Sequence, residues 1–283
     1  MKKHVVNVNG MNMVYEECGE SNEKTIILLH GFGGSSEYWH KVCPLLSEKY
    51  RIIMPQLRGH GSSSTPQGVY SMETMAEDIY RLVGKLNVDK VVMFGHSLGG
   101  YVTLAFAEKY ADKLLGLGLI HSTGLPDSEE KKEKRRQDIE DISINGVNDY
   151  VKKLIPKLFT ESNRGEMQDE VSDMIDIGLD MTQEGAIRTL EGMIDRPDRS
   201  YVLADAKYPI LIVAGAEDEV VKPLDTFSIT RENVTDSTFD YAHILENTFE
   251  DVAHMSLVEV PDQLSRVIAN YMKILYQETE LRA

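Results

Sequence analysis

Cysteine is nearly absent: Cys18 and Cys43 are the only two among 283 residues. Two thiols cannot build a disulfide framework, so the fold must rest on its core, and both are expected to stay reduced in a cytoplasmic protein. Positive charge is also scarce, with 30 Lys and Arg against 46 Asp and Glu, a net charge of −16 and an isoelectric point near 4.9. Nucleic acid and anionic membranes attract basic surfaces, and neither is expected as a partner. Long hydrophobic runs are missing too. No stretch could span a membrane, and the opening MKKHVVNVNG lacks the apolar run of a secretory signal. No His, Cys and Asp cluster has metal-ligand spacing, and the loop Gly31–Gly34 is not followed by the Lys-Ser/Thr of a nucleotide loop. Neither metal nor cofactor is expected.

Apolar residues make up 42% of the chain, an ordinary share for a globular protein long enough to bury a large core. Alternation over His4–Val8 and Met11–Cys18 around Asn9-Gly10 predicts a hairpin. Continuous apolar runs at Thr25–Leu29, Arg51–Leu57, Val91–Phe94, Leu114–His121 and Pro209–Ala214 predict strands buried on both faces, with a last strand over Ala242–Phe249. Helical patterns separate them: SSEYWHKVCPLLSEKY after the third strand, Ser71–Leu86 with Ser71 as cap, LGGYVTLAFAEKY, one near Pro223, and Pro261–Gln277. Strands alternating with helices imply an α/β fold, a mostly parallel, doubly wound sheet of about eight strands opened by an antiparallel edge. The pattern breaks from Ser122 to about Arg199. That stretch is charged and helical, and apolar residues recur on one face in Val147–Phe159, Met167–Ile175 and Ile187–Ile194. The expected organisation is a core of residues 1–121 and 200–283, with residues 122–199 inserted as a helical lid of about four short helices. The charge run DSEEKKEKRRQDIED reads as a solvated face, and Trp39 and the lid methionines read as core.

Chemistry concentrates at strand ends. Gly95-His96-Ser97-Leu98-Gly99 fits Gly-x-Ser-x-Gly between a buried strand and a helix, the context of a nucleophile elbow. A serine hydroxyl needs a base, and an imidazole suits because its unperturbed pKa of about 6.5 lies near working pH. His254, after the last strand, is the candidate base. Asp218, at the end of the preceding strand, is the candidate acid that orients it. The backbone N–H groups of Phe32, in the glycine-rich loop His30–Gly34, and of Leu98 are the candidate oxyanion hole. His30, His60 and His96 read as loop-holding residues, His243 lies inside a strand pattern, and Glu217, Asp225 and Asp251 compete with Asp218.

With HG at residues 30–31, RGHG at 58–61, GHSLGG at 95–100, Gly215-Ala216-Glu217-Asp218 and a late His254, the chain resembles the lidded serine-hydrolase branch of the α/β-hydrolase superfamily. The resemblance implies the order Ser97, Asp218, His254, and its Gly-x-x-Asp spacing favours Asp218 over its competitors. Some relatives carry the acid one strand earlier, where this chain has His121-Ser122; Gln56 stands where many have Asp, a change expected to alter packing. The implied activity is cleavage of a small to medium carboxylic ester or thioester through an acyl-enzyme, on a small-molecule substrate, by a monomer or homodimer. Carbon–carbon bond cleavage or elimination with the same triad is the alternative reading, and a non-catalytic receptor on this fold the third. Epoxide hydrolases and haloalkane dehalogenases carry aspartate at the position of Ser97 and fit less well.

Overall fold

The structure, a computed structural model, describes residues 1–228 and 244–280. Eight strands form one sheet: β1 Lys2–Val8, β2 Met11–Cys18, β3 Thr25–Leu29, β4 Arg51–Pro55, β5 Val91–His96, β6 Leu114–Ile120, β7 Ile210–Gly215 and β8 Ile244–Phe249. Their order is β1-β2-β4-β3-β5-β6-β7-β8. The hairpin turns through Asn9 and Gly10, both at positive φ, and β2 pairs antiparallel with β4. From β4 to β8 every pairing is parallel. Successive side chains of a strand point to opposite faces, and all six residues of β5 are buried, so both faces of the sheet are covered.

The helices are α1 Cys43–Ser47, α2 Met72–Lys85, α3 Leu98–Tyr110, α4 Glu129–Asn145, α5 Val147–Leu154, α6 Glu161–Glu166, α7 Gln168–Leu179, α8 Gln183–Ile194, α9 Ser200–Ala204, α10 Pro223–Thr226, α11 Ser256–Glu259 and α12 Pro261–Glu280. Ser71 caps α2 by accepting the Thr74 N–H at 3.2 Å, satisfying one of the donors a helix start leaves open. On α12, the Tyr271 hydroxyl donates to the Pro209 carbonyl at 2.6 Å and its ring meets Phe94 edge-on at 5.5 Å, which locks the last helix to the central strands.

Two expectations change. The helix predicted from Ser35 to Tyr50 is split into a 3-10 turn over Ser36–Trp39 and the short α1. Pro44 explains the break: it has no N–H to donate, its ring would clash with the carbonyl four residues back, and it therefore sits in the first turn of α1. Between β6 and β7, α4 to α8 replace the four short helices expected, and the charge run forms the 17-residue α4. Helix α10 begins at Pro223 as predicted. His243 and the predicted start of the last strand at Ala242 lie outside the described residues.

Candidate active site at the carboxyl ends of the strands

The sharpest corner of the chain joins β5 to α3. Ser97 sits there at φ +50°, ψ −115°, a conformation that costs a non-glycine residue free energy and persists only where its surroundings enforce it. Three contacts do so. Ser97 N donates to Ile120 O at 2.9 Å, and Ser97 O accepts from Gly100 N at 2.9 Å and from the Ser122 hydroxyl at 2.8 Å. The flanking glycines are needed for clearance: a Cβ on Gly95 would lie 2.2 Å from Gly99 O, and one on Gly99 would lie 2.4 Å from Leu29 O.

Asp218 follows β7 and is 2% exposed. Its Oδ1 accepts the N–H groups of Val220 and Val221 at 2.8 and 2.9 Å. Its Oδ2 accepts from His254 Nδ1 at 2.7 Å and from His121 Nδ1 at 3.1 Å. Four donors thus converge on one buried carboxylate. Burial alone would raise its pKa, but the two imidazoles outweigh that and hold it well below the usual carboxylate range. Because Oδ2 only accepts, each imidazole carries its proton on Nδ1, which leaves Nε2 of His121 to accept from the Ser256 hydroxyl at 2.7 Å. Burial pushes the pKa of His121 down, with its bond to Asp218 pulling the other way.

His254 is held from both sides of its peptide. Its N–H donates to the Leu158 carbonyl at 2.9 Å, a bond reaching into the inserted helical segment, and its carbonyl accepts from His96 Nε2 at 2.8 Å. His96 is fully buried and, with His254 and His121 nearby, titrates well below the ordinary histidine range. It is a neutral prop beneath the loop. His30 takes the Leu57 N–H on Nε2 at 2.9 Å and donates from Nδ1 to Gly31 O at 2.8 Å, while His60 Nδ1 donates to Arg58 O at 3.0 Å. Burial lowers these two to about 3 and about 4. Gln56 holds the same loops: its amide donates to Ser36 Oγ at 2.9 Å and its oxygen accepts the Ser62 N–H at 2.7 Å.

Ser97 and His254 wall one narrow cavity of about 80 Å³, together with Phe32, Tyr101, Leu154, Leu158, Leu190 and Met193. The last four side chains come from α5, the turn that follows it, and α8. Among the described residues the backbone N–H groups of Phe32 and Leu98 have no acceptor, as the first turn of a helix leads one to expect of Leu98. A larger cavity of about 580 Å³, walled by Lys90, Tyr201, Tyr208 and Leu275, opens at the opposite ends of β5, β6 and β7 and has no serine, cysteine or histidine in its lining.

Of the five predicted site residues, Phe32, Ser97 and His254 line the cavity, Leu98 follows Ser97 in the chain but is not on the wall, and Asp218 stands behind His254, off the wall. His121 was not anticipated as part of the cluster. Its signal was its place at the end of β6, since every buried strand's carboxyl end reaches the same rim. Ligating atoms of His121, Asp218 and His254 lie within 4.8 Å of one another, close enough for a metal ion, but both imidazole contacts are hydrogen bonds that saturate the same carboxylate oxygen.

A mostly parallel sheet with a serine on the turn after β5, a carboxylate after β7 and a histidine after β8, all on one rim, defines the class of α/β-hydrolase-like proteins. The family described as alpha/beta hydrolase fold matches residues 24–259, and the chain belongs to it. Among curated proteins it is similar to lipase 1 of Psychrobacter immobilis, 25% identical over 96% of this chain and 84% of that protein. It is also similar to 3-oxoadipate enol-lactonase 1 of Acinetobacter baylyi, 23% identical over 95% of this chain and 96% of that protein. Among solved structures, a thermophilic esterase from Thermogutta terrifontis with malate bound superposes with a TM-score of 0.87 at 28% identity, covering 97% of this chain and 99% of that one. Among the described residues no helix is long and apolar enough to cross a membrane.

Proposed function

We propose that the protein is a serine hydrolase that cleaves a small carboxylic ester or thioester through an acyl-enzyme. Ser97 is the nucleophile, His254 the general base and Asp218 the acid that orients it. The observation that carries the reading is the 2.7 Å bond from His254 Nδ1 to Asp218 Oδ2, made by a histidine that shares its cavity wall with Ser97. With Nδ1 committed to Asp218, Nε2 is the nitrogen left to take the serine proton, and Asp218 stabilises the imidazolium that results. The tetrahedral oxyanion is received by the open N–H groups of Phe32 and Leu98, each donor worth about 3–4 kcal/mol of transition-state stabilisation. His254 then protonates the leaving alkoxide, and a water activated by the same imidazole hydrolyses the acyl-enzyme. The elbow strain at Ser97 presents its hydroxyl to the cavity and frees the Leu98 N–H.

Residues 122–199 act as the lid, contributing Leu154, Leu158, Leu190 and Met193 to the cavity wall. A cavity of about 80 Å³, far under the ~300–1,000 Å³ of pockets for drug-sized ligands, points to the small end of the substrate range. The names of the relatives, lipase, enol-lactonase and esterase, support ester chemistry over carbon–carbon cleavage and over a receptor. Free thiols at Cys18 and Cys43 suit a reducing compartment such as the cytoplasm. Initial rates on nitrophenyl esters of graded acyl length test the reading, with the Ser97→Ala protein as blank. A rate that depends on Ser97 and falls with chain length is expected; equal rates for the two proteins overturn it.

A further inference from the structure

The cavity above Ser97 is not purely apolar. Asp127, Lys131 and Arg135 share its wall. Asp127 precedes α4, while Lys131 and Arg135 stand four residues apart on one face of that helix. Arg135 Nε donates to Asp127 Oδ2 at 2.5 Å and Nη2 reaches Oδ1 at 3.4 Å, yet the same carboxylate is also claimed by Arg196 Nη1 at 2.8 Å. The two arginines are not equivalent. Arg196 spends Nη1 and Nη2 on the Met193 and Leu125 carbonyls at 3.2 and 3.1 Å and stacks 3.9 Å over the Tyr101 ring, and its Nε is buried without a partner among the described residues. Among the described residues Arg135 Nη1 meets only the Met193 thioether at 3.8 Å, a weak acceptor.

Charge bookkeeping around Arg135 leaves one positive charge in excess. Asp127 faces both Arg135 and Arg196; Lys131 pairs with Asp225 at 3.2 Å; and Asp138, which accepts from the Tyr150 hydroxyl, pairs with Lys134 at 2.8 Å. Asp218 does not offset it, being off the wall with both oxygens taken by four donors. Although burial works against its charge, Asp127 is held ionised by Arg135 and Arg196. With its side chain 19% exposed and Nη1 facing a thioether beside the leucines of the cavity, the Arg135 guanidinium has N–H capacity open to an anionic partner, and a partly desolvated charged donor gains from one. In a protein of net charge −16, a cationic corner inside the substrate cavity is not an effect of overall composition.

We propose that this corner is an anion subsite and that the substrates are esters carrying a second, ionised carboxylate, received by Arg135 with Lys131 at its rim. Hydrolysis then gives an alcohol and a dicarboxylate, or a monocarboxylate and a hydroxy acid where the charge lies on the leaving side; water supplies the oxygen of the new carboxylate and the hydrogen of the alcohol, and its other proton is released. The inference rests on the ester-hydrolase reading of the site. Its test therefore has two arms, one of which needs no turnover.

In the first arm, pH-stat rates are compared for monomethyl glutarate and the near-isosteric, uncharged methyl 5-methylhexanoate, in which an isopropyl group stands for the carboxylate. The wild-type ratio of kcat/KM is expected to favour the acid ester by at least about 10-fold, the scale of a charge-assisted hydrogen bond, and Arg135→Gln is expected to bring it close to unity. In the second arm, the same two compounds are titrated calorimetrically into the Ser97→Ala protein. Tighter binding of monomethyl glutarate by a similar factor, lost on adding Arg135→Gln, supports the subsite; equal or weaker binding overturns it whether or not any ester is cleaved. Turnover of neither ester, with the binding preference intact, would count against the hydrolase reading alone. Should Arg135→Gln unfold because Asp127 is disturbed, the half-exposed Lys131→Gln decides: a binding preference reduced several-fold supports the subsite, and an unchanged one overturns Lys131's part in it, leaving the wild-type comparison to judge Arg135.

Discussion

The strand-end rim and the inserted helices wall the same cavity but are built on different terms. At the rim, position follows from backbone: Ser97 is where it is because β5 must turn into α3 in a space that admits no Cβ at residue 95 or 99. In the inserted segment, position follows from packing, with α4 lying against α5 and α8 so that one face of a highly charged helix is turned inward. The proposed chemistry thus sits on backbone-fixed positions, and the proposed selection of substrate falls to the part that sequence change can remodel without moving Ser97. The bond from His254 N to Leu158 O is where the two meet, so the position of the proposed base depends on the insertion being in place.

That contrast can be broken most severely at the rim. Asp218→Asn should lower kcat by roughly 10⁴-fold, because the amide can impose the wrong tautomer on His254 while leaving the geometry in place; steady-state kinetics with circular dichroism check it. Gly99→Ala should cost more than about 4 kcal/mol in urea unfolding, since its methyl would meet the backbone of Leu29, which cannot step aside. A destabilisation under 1 kcal/mol would show that the corner is less crowded than described. In the insertion, Leu190→Ala should cost about 2–5 kcal/mol and relax chain-length selectivity, while leaving the reactivity of Ser97 toward a small phosphonate nearly unchanged.

Acid provides a gentler probe of the rim. His30 and His60 are held at about 3 and about 4, below the ordinary 6.5, by burial. Between those values and 6.5 the unfolded chain binds more protons than the folded one, so their contribution to stability is complete above about pH 6.5 and is lost as the pH falls toward 3. Urea midpoints should therefore decline steadily across that window. Removing His30 by substitution with Gln should flatten the slope, and a midpoint independent of pH from 7 to 4 would contradict the assignment. The smallest expected effect is at His121. Its replacement by Gln should reduce kcat by about 10-fold or less and shift the acid limb of the pH–rate profile, because Asp218 loses one of four donors and becomes a stronger acceptor for His254.

How much of this was legible in the chain follows the same division. The strand-to-helix corner at Ser97 could be read because strand, glycine clearance and helix are contiguous, and the places of Asp218 and His254 because each follows a strand whose carboxyl end reaches the same rim. His121 escaped notice since its partners, Asp218 and Ser256, lie 97 and 135 residues further along, and only the sheet order brings them together. The helix drawn through Pro44 ignored what a missing N–H does to a helix interior. Lys131 and Arg135 read in sequence as part of a solvated face; periodicity puts them on one side of α4, but only its packing against α8 says which side faces the cavity.

Ser97 is proposed to act as a covalent nucleophile served by His254. The most direct measurement is intact-protein mass spectrometry after brief reaction with a nitrophenyl ester or a small phosphonate, followed by peptide mapping. One acyl or phosphonyl group on Ser97, absent in Ser97→Ala and strongly slowed in His254→Ala, is the predicted result. A modified residue elsewhere, or labelling of Ser97 at the same rate without His254, would contradict it.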